Sequence, residues 1–104
     1  NQGQEALSTR EVILKRIGRQ MNYYFTKKNY EKDNFIKEHE LKDPEKFIEI
    51  KLFMSFPRIK QLCTGLPQLM EGIQYQLDTD PNSDFELSED KTKIRKVHKA
   101  NVAQ

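Results

Sequence analysis

The positions of four prolines limit the helices that this 104-residue chain can form. Proline inside a helix removes a backbone hydrogen bond and clashes with the preceding turn, so helices tend to end before it or to begin at it. Pro44 is predicted to end one helix, Pro57 to divide a helical stretch in two, and Pro67 to lie in the first turn of another. Pro81 lies within TDPNSD, which has the composition of a turn. The sequence therefore predicts several short helices separated by turns.

The first helix is predicted over residues 9–25, where apolar residues recur at helical spacing. Ser8 followed three residues later by Glu11 indicates a capping box at its start. A turn should follow, with Asn29 as the N-cap of a second helix over residues 30–40. The inward-facing residues of this second helix are predicted to be Phe35, Ile36 and Leu41.

The remainder of the chain alternates between helix and strand signals. Residues 47–50 favour a short strand, and residues 51–63 and 65–77 favour helices. Two further strands, 85–87 and 93–95, flank the polar loop SEDKT and predict a hairpin. This order predicts an α+β winged helix with additional helices on its N-terminal side and a small antiparallel sheet.

Length and composition indicate one small domain, over residues 8–96. Residues 1–7 are expected to be a disordered extension, and residues 97–104 a basic, flexible tail or linker to a following domain. The net charge of +2 is low for a protein that neutralises many phosphates of a long nucleic acid. A single cysteine excludes a disulfide framework, and no apolar run is long enough to predict a membrane span.

Half of the aromatic residues lie in QMNYYFTKKNYEKDNFIKE, residues 20–38, interleaved with lysines. Gln20, Tyr23 and Tyr24 share one face of the predicted helix, because they are spaced at i, i+3 and i+4. One interpretation makes Tyr24 and Phe25 core residues and the lysines a solvated face. In the same interpretation Phe35 is an inward helix residue, and Asp33 is a charge in the first helical turn that the helix dipole stabilises.

The other interpretation treats this stretch as a binding site. Exposed rings stack on bases, and the Gln20 amide can pair with a base edge. A carboxylate repels a continuous phosphate backbone, but the last ribose of an RNA offers adjacent 2′- and 3′-hydroxyls that both donate to it. Asp33 among rings and lysines therefore suits the recognition of an RNA terminus.

Three blocks of the chain resemble the La motif family. They are QMNYYFTKKNYEKDNFIKE, the later SFPRIKQL and the closing FELSEDKTKIRK, and the resemblance extends from about Glu5 to Lys96. It implies a winged helix that binds RNAs ending in UUU-OH in a cleft beside the first helices. Gln20 would read a uracil edge, Asp33 would accept from the terminal hydroxyls, and Phe35 and Phe56 would stack on bases. The RNA-binding residues that the resemblance implies are Gln20, Tyr23, Tyr24, Asn29, Asp33, Phe35 and Phe56.

The resemblance also implies a biological role. It describes a nuclear, non-enzymatic module without cofactors that protects the 3′ ends of RNA polymerase III transcripts and aids their folding or assembly. Family members usually carry an adjacent RNA-recognition motif. This chain departs from the family pattern at Tyr30, where leucine is usual, and within residues 46–50 and 62–65. It is therefore expected to be either a genuine La protein or a La-related protein dedicated to one RNA, such as telomerase or 7SK RNA.

Other features have weaker functional interpretations. Lys93, Arg95 and Lys96 are either a solvated face or a secondary RNA-binding edge at the end of the hairpin. The two histidines, His39 and His98, lack neighbouring ligand residues, so no metal site is predicted, and Cys63 is expected in the core on a helix. No catalytic motif is present. The alternative function is that of a winged helix that binds duplex DNA or another protein and uses the aromatic residues as core.

Overall fold

A computed structural model of the chain describes residues 7–98, and the predicted extension and tail fall largely outside that range. The first helix, α1, spans Thr9–Tyr24 and begins at the predicted capping box. The Ser8 hydroxyl accepts from the Glu11 backbone N–H at 3.1 Å, and the Glu11 carboxylate accepts from the Ser8 N–H at 3.0 Å. The buried face of α1 includes Ile17 and Met21, neither of which is exposed at all.

Within residues 7–98, five further helical segments follow α1. They are α2 (Lys27–Tyr30), α3 (Asn34–Glu40), a 3₁₀ helix (Ile50–Ser55), α4 (Pro57–Leu62) and α5 (Leu66–Thr79). Pro57 is the first residue of α4 and separates it from the 3₁₀ helix, as predicted. None of the helices within residues 7–98 is long and apolar enough to cross a membrane.

The second helix, predicted over residues 30–40, is wrong in three respects. It begins only at Asn34, and Lys27–Tyr30, most of which was predicted as a turn, forms the separate helix α2. Asn29 is not an N-cap, because it lies inside the single turn of α2; Asp33 caps α3 instead, through its carboxylate and the Ile36 N–H. Leu41 does not face inward but is 87% exposed. It is the C-cap residue of α3, beyond the last turn, so the inward face of the helix no longer continues through it.

The packing of α1 against α5 depends on two glycines that face each other. A Cβ built on Gly18 would lie 2.7 Å from the Gly72 carbonyl oxygen and 2.7 Å from the Gln76 Cβ. A Cβ built on Gly72 would lie 2.6 Å from the Ile17 Cβ. Real Cβ contacts are not this short, so the two helix backbones approach each other more closely than any other residue pair would allow.

The three strands form one antiparallel sheet in the order β1-β3-β2. They are β1 (Ile48–Glu49), β2 (Phe85–Leu87) and β3 (Lys93–Lys96), so both predicted hairpin strands are present and the first strand is shorter than predicted. Ile94 of β3 faces Ile48 on one side and Leu87 on the other. Ile48, Phe85 and Ile94 are buried against the helices, which gives the predicted α+β winged helix with one hydrophobic core.

Candidate nucleic-acid interface

Four rings form a contiguous group where α1, α3 and the 3₁₀ helix meet. This aromatic cluster consists of Tyr24, Phe35, Phe53 and Phe56. Phe56 is its centre: its ring centroid lies 4.8 Å from that of Tyr24, 4.8 Å from that of Phe35 and 5.1 Å from that of Phe53. Phe53 is fully buried, whereas Phe35 and Phe56 are half-buried and keep part of their surface in solvent. The cluster thus has a buried base and an accessible rim.

The Asp33 carboxylate is positioned beside this cluster by two donors. One of its oxygens accepts from the Ile36 N–H at 3.1 Å, and the other accepts from the Asn29 side-chain amide at 2.9 Å. The same amide nitrogen donates to the Tyr24 carbonyl oxygen at 2.9 Å. A carboxylate offers about four lone-pair sites, so the half-buried Asp33 retains capacity to accept further hydrogen bonds. Asn29 therefore ties the end of α1 to the cap of α3 and fixes the orientation of the carboxylate.

The Tyr24 hydroxyl links the cluster to Gln20 and to Asp33. The pKa of Tyr24 is raised above its ordinary value, mainly because the phenol is buried. A hydrogen bond with the Gln20 side chain and the Arg58 charge lower this pKa, whereas the Asp33 charge raises it further. The phenol therefore stays protonated at neutral pH and keeps its hydrogen for donation. Tyr24 is itself 7% exposed, as the core interpretation predicted, while Tyr23 on the next position of α1 is 38% exposed.

All seven predicted site residues are consequently connected. Gln20 bonds to Tyr24, whose ring contacts those of Tyr23 and Phe56; Phe56 in turn contacts Phe35. Asn29 joins Asp33 to the Tyr24 backbone. The result is a half-open, ring-lined surface with one carboxylate, one amide and one phenol at its edge.

Comparison with known proteins places this surface in a family. The family model of the La domain matches residues 17–75, which is more than half of the chain and includes all of the connected residues described above. The chain belongs to the La domain family. La domains are RNA-binding modules, so this chain is an RNA-binding La domain and its partner is RNA.

Individual relatives agree with this assignment. La-related protein 6 of Homo sapiens is 28% identical over 87 residues, which is 84% of this chain but 16% of that protein. The La protein homolog of Drosophila melanogaster is 29% identical over 80 residues, 77% of this chain and 20% of that protein. The solved La autoantigen N-terminal domain superposes with a TM-score of 0.71 at 23% identity, covering 91% of this chain and 95% of that domain. The chain thus spans about a fifth or less of the two relatives' lengths and shares the La domain fold.

The predicted basic edge of this La domain has intramolecular partners. Arg95 donates to the Glu86 carboxylate at 2.7 Å and to the Glu45 carbonyl at 3.0 Å, and its guanidinium lies 4.2 Å from the Phe47 ring centroid. Lys96 donates to the Phe25 carbonyl at 2.7 Å. Within residues 7–98 the Lys93 ammonium makes no hydrogen bond or ion pair. The three cations therefore differ in how readily they can contact a phosphate, and their RNA-binding role stays a prediction.

The remaining candidates of the La domain have packing contacts. The His39 ring centroid lies 4.4 Å from that of Phe35, and the His98 ring centroid lies 6.0 Å from that of Tyr30. Cys63 packs against the core but is half-buried and lies just beyond the end of α4, and burial raises the pKa of its thiol. Among the described residues no three potential metal ligands lie together.

The sequence did not single out several residues that lie within the aromatic cluster or near it. Arg58 acts electrostatically on Tyr24, although it lies within SFPRIKQL, a block already recognised as significant. Phe53 supplies the base of the aromatic cluster and was visible only as an apolar residue at helical spacing. Lys15 is half-buried and Arg19 is exposed on α1; their spacing of four residues was the available signal.

Proposed function

We propose that this La domain binds the 3′-hydroxyl end of RNA, with a preference for terminal uridines, and thereby shields that end. The position of the Asp33 carboxylate is the observation that supports the proposal most directly. Its two bonds to Asn29 and to the Ile36 N–H hold it at the rim of the aromatic cluster and leave acceptor capacity. The adjacent 2′- and 3′-hydroxyls of a terminal ribose have the donor geometry to use that capacity.

The accessible rings support the same function. Tyr23, Phe35 and Phe56 each expose part of a ring beside Asp33, and a base stacked on an aromatic side chain gains roughly 1–3 kcal/mol. The Gln20 amide, one turn before Tyr24, can exchange its intramolecular bond for one to a uracil edge. A mild net charge of +2 is compatible with binding by stacking and hydrogen bonds rather than by a long row of phosphate contacts.

The wider role is part of the proposal. We infer that the RNAs are small noncoding transcripts with oligouridylate tails, as RNA polymerase III products have, and that the protein acts in the nucleus. The adjacent RNA-recognition motif belongs to the same proposal. These elements derive from the family resemblance, and the choice between a genuine La protein and a La-related protein for one RNA stays open.

A titration with matched oligonucleotides tests the end recognition. A U-tailed RNA with a free 3′-hydroxyl should bind at least about tenfold more tightly than the same RNA with a 3′-phosphate or a 2′-deoxy terminal sugar, the loss expected for unpaired charged hydrogen bonds. An A-tailed RNA should also bind less well. Equal binding of the 3′-phosphorylated RNA would refute the role of Asp33, and a steep salt dependence would favour the duplex-binding alternative.

The variant Asp33→Asn separates recognition from folding. Asparagine caps helices about as well as aspartate, so α3 should form, but the loss of charge weakens acceptance from the two hydroxyls. Asp43→Asn is a matched control, because Asp43 accepts from the Glu45 and Phe47 N–H groups at 3.0 Å in a similar local turn outside the site. Asp33→Asn should lose the preference for the 3′-hydroxyl while keeping the helical circular dichroism spectrum, and Asp43→Asn should keep the preference. The melting temperature of Asp33→Asn should fall slightly, because one amide oxygen cannot accept from both the Ile36 N–H and the Asn29 amide. Retained preference in Asp33→Asn would overturn the assignment.

A further inference from the structure

A groove between α1 and α5 is lined by two cations of α1. It encloses about 510 Å³ and is lined by Lys15, Arg19 and Asn22 from α1 and by Tyr75, Thr79 and Asp80 from or near α5. It lies on the face of α1 next to the one that carries Tyr23, outside the aromatic cluster. None of the seven predicted site residues lines it.

The cations of this groove are available, whereas its acidic group is not. Within the described residues, neither the Lys15 ammonium nor the Arg19 guanidinium makes a hydrogen bond or an ion pair. The Asp80 carboxylate, in contrast, accepts from the Gln76 amide at 3.2 Å and from the Asn82 N–H at 2.9 Å. The groove therefore presents unpaired positive charge beside an acid that the chain already engages.

The spacing of these cations is unfavourable for the isolated helix. Arg19 follows Lys15 by four residues and Arg16 by three, and like charges at these spacings cost roughly 0.2–0.5 kcal/mol per pair. Glu11, four residues before Lys15, is engaged at the capping box with Ser8. A polyanionic ligand would remove this repulsion.

We propose that this groove binds the RNA backbone upstream of the 3′ end, with Lys15 and Arg19 contacting successive phosphates. The inference rests on the proposed function, because Tyr23 places the 3′-end site next to the groove. Arg19 and Lys15 precede Tyr23 by four and eight residues, about 6 and 12 Å along the axis at 1.5 Å per residue. At about 3.4 Å per stacked nucleotide this span corresponds to roughly two to four nucleotides. The half-buried Tyr75 ring forms the opposite wall, where a base of this segment can rest.

A length series on the 104-residue chain tests the inference. Oligouridylates of three, six and nine nucleotides with free 3′-hydroxyls should bind with increasing affinity up to about six and then level off. The double variant Lys15→Ala, Arg19→Ala should abolish this gain while leaving the affinity for the trinucleotide within about twofold. Its salt slope for the hexanucleotide should fall by about 1.4, at roughly 0.7 per phosphate contacted on a single strand. Lys15 is half-buried, Arg19 is exposed and neither belongs to the hydrophobic core, and alanine favours helix, so the variant should fold.

The control removes the same charge elsewhere. Lys42→Ala, Lys51→Ala replaces two exposed lysines outside the groove and should leave the length dependence intact. If the length gain persists in the Lys15, Arg19 variant, or if the control abolishes it equally, the inference is wrong. Binding of an oligoglutamate peptide through Lys15 and Arg19, without any gain with RNA length, would assign the groove to an acidic protein and also overturn it. If the wild type fails to distinguish a 3′-hydroxyl from a 3′-phosphate, the proposed function itself fails, independently of the groove.

Discussion

The aromatic cluster and the hairpin use their polar groups in opposite ways. Beside the cluster, Asp33 is held by two donors and still has capacity to accept others. At the hairpin, Arg95 and Lys96 direct their charged ends to groups of the chain itself. Both regions were predicted from sequence as RNA-binding, yet only the first combines accessible rings with spare hydrogen-bonding capacity.

The difference shows that residue type alone does not define a binding surface. A cation that already pairs with a carboxylate, a carbonyl and a ring must give up those contacts before it can bind phosphate. A capping carboxylate loses nothing when it accepts a further hydrogen bond. Variants in each region can show whether the aromatic cluster binds ligand and the hairpin is structural.

The largest effect is expected at the centre of the aromatic cluster. Phe56→Ala should weaken binding of U-tailed RNA by about 10- to 100-fold, within the roughly 1–3 kcal/mol that one stacked base contributes. It should also lower the unfolding free energy, because the ring contacts three others. Phe56→Leu is the control: it keeps apolar volume, so it should recover stability measured by urea unfolding but not RNA affinity. Full affinity in Phe56→Leu would make the ring a core residue only.

A smaller effect, and one of the opposite kind, is expected at the hairpin. Arg95→Ala should lower the unfolding free energy by about 1 kcal/mol, from the loss of an exposed ion pair and a cation–π contact, with little change in RNA affinity. Lys93→Ala should leave stability unchanged and reduce the salt slope of binding by about 0.7. Urea unfolding and titrations at several salt concentrations measure both. A greater loss of affinity in Arg95→Ala than in Lys93→Ala, at equal stability, would remove the distinction between the two regions.

The smallest effect is expected at Tyr30, which follows Asn29 in α2 and whose ring lies under the Lys96 ammonium of the hairpin. Burial and the hydrogen bond from its hydroxyl to Glu40, 2.6 Å long, raise the pKa of Tyr30 above its ordinary value of 10.0. Lys37 and Lys96 lie 4.8 and 5.2 Å from its ring centroid. Because the folded state holds this proton more tightly than the unfolded state, the stabilisation is complete below pH 10 and is lost as the pH rises above it.

Urea unfolding at pH values from about 8 to about 11 measures this dependence. Tyr30→Phe should be less stable at pH 8, because Glu40 loses its donor, but its stability should decline less above pH 10. Burial also raises the pKa of Tyr24, so part of the decline should remain. An identical decline in both proteins would show that Tyr30 is not the titrating group. The leucine that the family pattern favours at this position could not form the bond to Glu40.

Much of the fold was predictable because local chemistry determines it. The capping box of Ser8 and Glu11, the separation at Pro57 and the hairpin around SEDKT each depend on residues close in sequence, and each is present. The family resemblance indicated seven residues as RNA-binding, and the structure places them in contact with one another, while their role in binding stays a prediction. No local rule could have linked Phe56 to residues 20–35, because their contact depends on how the helices pack.

The errors and omissions have the same origin. Asn29 has the composition of an N-cap, but its amide instead joins the Tyr24 carbonyl to Asp33, which only the tertiary arrangement reveals. Leu41 continues an apolar pattern past the end of α3 and is exposed. The partners of Arg95 lie nine and fifty residues away in sequence, so composition indicated only a basic edge.

The facing glycines of α1 and α5 have a consequence for ligand recognition. The glycine backbones pack directly against a carbonyl oxygen and Cβ atoms of the facing helix, so the separation of the two helices is set by these rigid van der Waals contacts and not by adaptable rotamers. Lys15 and Arg19 on one wall and Tyr75 on the other are therefore presented at a constant width. An RNA that binds there would meet a preformed groove, and even an alanine at Gly18 or Gly72 would change the width of that groove.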